Sequence, residues 1–312
     1  MVVAKAPVRK LKRVVYDAKH SSDSENLRRT AEILINEGGA SISEKQDPSQ
    51  DANECYIGFK KTYDFYLEFF KRNSVDGKGL ELDGFVHFGE KYLNAFWDGE
   101  KMVFGDGDGV VFNGFTDELD VIAHELTHGV VQYTSELEYE FQSGALNESL
   151  ADVFGIMVKQ WGLDPGNPQE AAKANWLIGE GIWATGINGR ALRDMENPGT
   201  AYDDEKVGKD EQPAHWKDRK ILDRSEDNGG VHYNSGIPNR AFYLAATKIG
   251  GFSWEGAGPI WYNALASGKL PTRATFKQFA DLTVAHAGEH GDKVREAWNG
   301  VGYPFPESKD EL

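Results

Sequence analysis

Apolar positions recur along this chain with two different periods, and the change from one to the other divides it. Residues 12–18 (KRVVYDA) have the short, β-branched character of a strand. Residues 25–37 (ENLRRTAEILINE) carry apolar positions at helical spacing and stop at Gly38-Gly39, which predicts a helix. The polar stretch 40–54 reads as a loop. Residues 55–72 predict a strong amphipathic helix, because Phe59, Tyr63, Tyr66 and Phe70 follow one another at steps of four, three and four. That stripe of rings is read as core. From 86 to 112, short apolar runs are broken by Asp-Gly and Gly turns, the mark of β-hairpins. The Asp-rich GDGDG at 105–109 lacks the later glutamate of an EF-hand loop and is read as tight turns.

At residue 117 the texture changes. DELDVIAHELTHGVVQYT predicts a helix with acids in its first turn, where they suit the helix dipole. Most of the remaining chain is read as helical, apart from loops at 162–169 and 197–230. No internal repeat or low-complexity tract interrupts the chain. The expected fold is α+β. A β-rich N-terminal lobe, residues 1–136, ends in the central helix, and a mainly α-helical lobe spans residues 137–312.

Composition narrows the function classes. With 312 residues, 40% of them hydrophobic, the chain can fill two compact units. No apolar run approaches the ~20 residues of a membrane helix. A net charge of −16 disfavours non-specific binding of nucleic acid, which needs a basic face. The single cysteine, Cys55, excludes an intrachain disulfide and a Cys-rich metal site, and reads as a small buried or half-buried residue. The N-terminal stretch is basic without an apolar core, so no secretory signal is read there. The C-terminal Lys309-Asp310-Glu311-Leu312 is an address for retention in the endoplasmic reticulum, with meaning only for a chain that enters that lumen.

The chemistry concentrates in three segments. His124-Glu125-Leu126-Thr127-His128 is an HExxH run on a predicted helix, and the i, i+4 spacing puts both imidazoles on one face. Zinc accepts two such nitrogens and leaves positions for a third ligand and a water. The alternative, a surface histidine pair, fits poorly on a helix otherwise built from Val121, Ile122, Ala123, Val130 and Val131. In the second segment, Glu148 stands 20 positions after His128, room for one loop and a return helix that brings a carboxylate to the histidines. A His₂Glu set with an open position is the catalytic rather than the structural zinc pattern. Asn147 and Asp152 could orient the ligand histidines. In the third, Asp227-Asn-Gly-Gly-Val-His232, a glycine-rich loop offers a histidine with an acid five residues before it, a candidate oriented donor. The inverted pattern His286-Ala-Gly-Glu289-His290 is set aside, because Gly288 and Gly291 break the helix it would need.

Together these segments resemble the thermolysin family. HELTH, GALNESLAD, NAFWDGEKMVFGDGDG, RALRDMENP and DNGGVHYNSG stand in the family's order and spacing over nearly all of the chain from about residue 12, and the short N-terminal lobe looks most like the protealysin-type subgroup. The resemblance implies a thermolysin-like two-lobe fold and a neutral zinc endopeptidase. His124, His128 and Glu148 would bind the single catalytic zinc, and Glu125 would activate the attacking water. Tyr139 and His232 would donate to the developing oxyanion, with Asp227 orienting His232. Asn94, Ala95 and Arg193 would hold the substrate backbone. Phe112, Phe115, Val121, Ile178, Ile182 and Leu192 match an apolar pocket on the leaving-amine side, which implies cleavage before Leu, Phe, Ile or Val. Such pockets discriminate by only ~1–3 kcal/mol per methylene, so the preference should be broad.

The implied partners are protein or peptide substrates of a monomer, with a proteinaceous inhibitor as a further kind of partner and neither nucleic acid nor membrane. Family resemblance points to secretion, although no signal is read. Two departures stand out. Asp120 and Glu180 match the family's paired-calcium cluster, but Lys159, Asn175 and Leu177 stand where carboxylates belong, and Arg190 replaces an acid at a further calcium position. Calcium wants about six to eight oxygens. The paired calcium site is therefore expected to be absent, with Lys159 paired to Asp120 or Glu180. A zinc aminopeptidase and a binding protein with a vestigial site are the competing readings. The first is opposed by the His128–Glu148 spacing and the second by the presence of Glu125 and His232.

Overall fold

The computed structural model describes residues 10–37, 50–164 and 166–305. The C-terminal tetrapeptide lies outside these. The chain opens with β1 (Arg13–Asp17), a short α1 (Leu27–Thr30) and β2 (Glu32–Asn36), and then α2 (Gln50–Phe70). Next come β3 (Leu82–Val86), β4 (Ala95–Trp97) and β5 (Met102–Phe104). The five strands form one mixed sheet in the order β2-β1-β3-β5-β4, with β4 at its edge. Side chains alternate across it, as the strand period of two requires. Val15, Val86, Met102 and Phe104 join the main core with Cys55 and Phe59 of α2. Phe85 and Val103 turn to a smaller cluster with Ala18, Leu27 and Phe88. Gly84 lets α2 lie close, since a Cβ there would come 2.6 Å from the Cys55 sulfur.

The helix expected over 25–37 is not formed. Only Leu27–Thr30 is helical, and Glu32–Asn36 pairs antiparallel with β1, Val15 opposite Ile35 and Tyr16 opposite Ile33 across a bulge. Ile33 and Ile35 fit a pleated edge as well as a helix face, and pairing with β1 decides between them. Of the loop expected over 40–54, residues 40–49 lie outside the described part. Residues 50–54 are the first turns of α2, where Gln50 Nε2 donates to Glu54 Oε1 at 2.7 Å. The hairpins expected over 86–112 reduce to one, β4–β5. Residues 105–109 are tight turns, in which the Asp108 carboxylate accepts from the N–H groups of Val110, Val111 and Phe112 at 2.8–3.2 Å.

Two helices form the centre, α3 (Leu119–Gln132) and α4 (Phe141–Gly162), both buried along most of their length. They meet closely at Gly155, where a Cβ would stand 2.7 Å from the Asp120 carbonyl oxygen. Residues 170–196, read as helical from sequence, are instead irregular, with short ladders β6 (Leu177–Ile178) and β7 (Arg193–Asp194). Four glycines between 179 and 189, two of them at positive φ, disfavour a helix there. The ladder β8 (Asp203–Asp204) and β9 (Gly208–Lys209) lies within the loop read at 197–230. The remaining helices are α5 (Asp227–Asn234), α6 (Gly236–Ile249), α7 (Ala257–Leu265), α8 (Phe276–His286) and α9 (Gly291–Asn299). Trp261 and Trp298 stack at 6.0 Å within their core.

Candidate active site

One face of α3 presents His124 and His128, and α4 returns past it to bring Glu148 to the same point. One ligand atom from each lies within 4.8 Å of the others, the only such group among the described residues. His286, Glu289 and His290 do not converge. The outer ring nitrogens are tied down. His124 Nδ1 donates to Asp152 Oδ1 at 2.8 Å and His128 Nδ1 to Asn147 Oδ1 at 2.9 Å. The two acceptors, a carboxylate and an amide oxygen, hold a proton on each Nδ1 and leave each Nε2 facing the cluster. Asp152 is fully buried and holds more than His124. Arg193 reaches it through two bonds of 2.7 and 2.6 Å, and Asn239 Nδ2 donates at 2.8 Å. Burial alone would raise the Asp152 pKa, but Arg193 and His124 hold it far below the usual range.

Glu125 lies beside His124 with its Oε2 accepting the Trp97 backbone N–H at 3.1 Å, so the edge strand β4 positions it. Burial lifts its pKa to about 7. Burial pushes Glu148 the same way, but His232, His128, His124 and Arg193 outweigh it and hold that carboxyl at about 2. Across the cleft, the Tyr139 hydroxyl donates to Glu148 Oε1 and stands 3.2 Å from His232 Nε2. His232 Nδ1 donates to Asp227 Oδ1 at 2.5 Å, and its backbone N–H donates to Asp227 Oδ2 at 2.8 Å. This doubly held arrangement depends on a left-handed turn, Asp227-Asn228-Gly229-Gly230, whose φ angles run from 50° to 84°. Asp, Asn and Gly are the residues that tolerate it. Gly229 also has no room for a side chain, since a Cβ would lie 2.3 Å from the Phe141 ring.

His124, Glu125, His128, Tyr139, Glu148 and His232 line a cleft of about 780 Å³. Asn94, Ala95, Phe112, Phe115, Val121, Leu192 and Arg193 all reach its wall. Ile178 and Ile182 do not. Both are wholly buried behind it, Ile178 giving its carbonyl to the Leu192 N–H. Sequence reasoning missed four contributors. Gln132 accepts from Trp97 Nε1 at 2.7 Å, and Gln212 Nε2 donates to the His232 carbonyl at 2.6 Å. The others are Asn239 and the Trp97 backbone. Only Gln132 carries a signal, because it continues the four-residue step of His124 and His128 along α3.

Comparison with known proteins agrees with this geometry. Residues 6–132 match the thermolysin metallopeptidase catalytic domain, and residues 135–303 match the thermolysin metallopeptidase alpha-helical domain. The chain belongs to the thermolysin metallopeptidase family. It is 54% identical to an extracellular metalloprotease of Pectobacterium carotovorum subsp. carotovorum over 80% of this chain and 72% of that protein. It is 47% identical to protease PrtS of Photorhabdus sp. (strain Az29) over 94% of this chain and 79% of the relative. The structure of the precursor of protealysin, a metalloproteinase from Serratia proteamaculans, superposes with a TM-score of 0.87 at 50% identity. That match covers 96% of this chain and 90% of the other. The chain is thus a thermolysin-like zinc metalloendopeptidase of the protealysin type.

The donor set fits the family's zinc. His124 Nε2 and His128 Nε2 stand 3.1 Å apart. With both protons on Nδ1, that approach sets two lone pairs against each other, an arrangement a cation resolves. Two nitrogens at zinc's usual ~2.0–2.1 Å in a tetrahedron lie about 3.3 Å apart. Glu148 Oε2 is buried without a hydrogen-bond partner and lies 3.5 Å from His124 Nε2.

At the positions where the resemblance implied a change from calcium ligands, side chains pair with one another. Lys159 Nζ lies 3.1 Å from Asp120 Oδ2, 3.0 Å from the Leu177 carbonyl and 3.6 Å from Glu180. Asn175 Nδ2 donates to Glu180 at 2.5 Å, and Arg190 is bound to Asp194 at 2.7 Å.

Proposed function

We propose that this endopeptidase cuts on the N-terminal side of bulky apolar residues, Leu, Phe, Ile or Val, with Glu125 as general base. The observation that carries the reading is Glu125 itself. It is a buried carboxylate on the cleft wall beside the His₂Glu cluster, steadied by the Trp97 N–H. A carboxylate so placed can both take a proton from the attacking water and return it to the departing nitrogen. Zinc held by His124, His128 and Glu148 would supply Lewis-acid polarisation and an acidified water.

The other roles rest on position. Tyr139 and His232 donate to the oxygen on which negative charge develops, and Asp227 keeps the His232 Nε2–H turned towards it. Asn147 and Asp152 keep the two ligand histidines in their inward-facing tautomer. Asn94, Ala95 and Arg193 hold the substrate chain along the edge of β4. The leaving-amine residue enters among Phe112, Phe115, Val121 and Leu192. Ile178 and Ile182 back that pocket rather than touch its occupant. The lobes divide near residues 136–137, between α3 and α4. Lys159 takes the place of the paired calcium, its ammonium supplying the charge that Asp120 and Glu180 need.

The test is hydrolysis of an internally quenched peptide containing one Leu, with product masses read, for the zinc-loaded protein and a Glu125→Gln variant. The expected result is a cut before Leu, abolished by a zinc chelator, restored by zinc, and at least ~100-fold slower in the variant. A Glu125→Gln enzyme of ordinary rate, or cuts after rather than before Leu, would refute the reading.

A further inference from the structure

The cleft runs along α3, and its two ends differ in charge. Val121 lines it at the N-terminal end of the helix, with Phe112, Phe115 and Leu192. Gln132 and Glu136 line it at the other end, with Trp97, Asp98 and Gly99. Most charged groups on the cleft wall are already matched. Arg193 is held by Asp152, Asp98 pairs with Lys101, and Glu125 and Glu148 belong to the centre. Glu136 differs from these. It is exposed, it has no ion pair or side-chain hydrogen bond among the described residues, and no lysine lines the cleft.

Its backbone sharpens the point. Glu136 comes just after α3 at φ 54°, in the left-handed region, with its N–H bonded to the Val131 carbonyl at 3.0 Å. Glycine or asparagine would suit that turn better, and a glutamate there is strained. A strained, exposed residue on the wall of a substrate cleft, with no side-chain partner among the described residues, is a candidate for a role in binding.

We propose that Glu136 makes the acyl-side end of the cleft select substrates with a Lys or Arg side chain two or three residues before the scissile bond. The direction rests on the reading above that the apolar pocket takes the leaving-amine residue. The position comes from the helix. Gln132 lies about 9 Å along α3 from the midpoint between His124 and His128, at ~1.5 Å per residue. Extended substrate advances ~3.3 Å per residue, so that distance spans two to three residues. β4 is an edge strand, and its Trp97–Gly99 end is joined to Gln132 through Trp97 Nε1 and the Gly99 carbonyl. A substrate strand laid along it therefore passes Gln132 and Glu136.

The test uses three quenched peptides that share Leu after the scissile bond and carry Lys, Gln or Glu at the second, and in a parallel set the third, residue before it. Wild type, Glu136→Gln and Glu136→Lys are compared by kcat/KM, each relative to the Gln peptide. Wild type is expected to favour Lys over Glu by about three- to tenfold, as for an exposed ion pair and its like-charged counterpart. The ratio should shrink when salt is raised, fall to near one in Glu136→Gln and reverse in Glu136→Lys. An equal Lys/Glu ratio in wild type and Glu136→Gln overturns the proposal. Product masses separate this from failure of the broader reading, because a cut that does not precede Leu overturns the pocket assignment instead.

Discussion

Replacing Lys159 by Met tests whether a buried ammonium does the work of a divalent cation in this fold. The substitution keeps the length of the side chain and most of its packing, and removes only the charge and its hydrogen bonds. Asp120 has no exposed surface and the Lys159 side chain is only 9% exposed, so the pair is screened little by solvent. In the variant, Asp120 Oδ2 keeps one donor, the Gly179 N–H at 3.1 Å, and the Leu177 carbonyl loses the Lys159 donor. Glu118 and Glu180 then face Asp120 with no cation between them. Removing one partner of a buried ion pair costs about 3–5 kcal/mol, and the surviving donor argues for the lower end. At roughly 1.5 °C per kcal/mol for a chain of 312 residues, Tm should fall by about 5 °C.

The sign with pH is fixed by the lysine. Burial alone would lower its pKa, but Asp120, with Glu118 and Glu180, raises it above 10.5. A raised folded-state pKa gives stability that is complete below the unfolded value and is lost as pH rises through the folded one. The Lys159 contribution should therefore be fully present at pH 8. The assay is thermal unfolding at that pH by circular dichroism, in a Glu125→Gln background so that self-digestion does not intrude, with calcium added or selectively chelated. Wild type should be indifferent to calcium. A wild-type Tm that drops by several degrees on calcium chelation, or a Lys159→Met variant within about 1 °C of its parent, would refute the reasoning.

Three further outcomes are expected. Asp152→Asn strips the charge from the acceptor that Arg193 and His124 share, and should lower stability by about 3 kcal/mol and zinc affinity by about 10–100-fold. Competition with a metal-indicator dye checks it, and unchanged zinc affinity counts against an orienting role. Gly229→Ala combines a φ of 83° with a Cβ 2.3 Å from the Phe141 ring, and should displace the Asp227–His232 pair. A loss of kcat/KM of about tenfold or more is expected if His232 steadies the transition state, and unaltered kinetics would mean that the turn does not place His232. Glu118 is raised to about 7 by burial, with Asp120 adding to the effect. Its folded-state pKa thus exceeds its ordinary 4.5, so it costs stability that sets in as pH rises past 4.5 and is complete above 7. Glu118→Gln, which keeps an acceptor for the Gly181 N–H, should raise Tm at pH 8 and leave it unchanged at pH 4, as paired melting curves at the two values would reveal.

What could be read from the sequence was what is encoded within one element or between adjacent ones. The i, i+4 step puts His124 and His128 on one face wherever the helix lies, and the ring stripe of α2 enters the core for the same reason. Phe59, Tyr63 and Tyr66 are buried and Phe70 packs on Phe154. Glu148 was reachable because a single loop separates α3 from α4. The failures lie where a distant partner decides. Ile33 and Ile35 suit a helix until β1 offers them a strand to pair with. The 170–196 segment lacks a regular period because its backbone is satisfied by ladders and by side chains such as Asn175 and Asp194.

The same distinction runs through the site. Asp152 could be named from its place four residues after Glu148, as a residue able to orient a ligand. Its surroundings could not be, because its partners come from α3, β7 and α6, separated from it by 28, 41 and 87 positions. Those partners change its meaning. A carboxylate bound only to His124 would be an accessory to the metal. One bound to His124 and, through two bonds, to Arg193 ties a metal ligand to a guanidinium on the cleft wall. Movement of either is resisted by the other, because separating them would strand a charge in a buried, low-dielectric setting. On the roles proposed above for His124 and Arg193, metal geometry and substrate contact would be coupled through Asp152, the residue that bonds both.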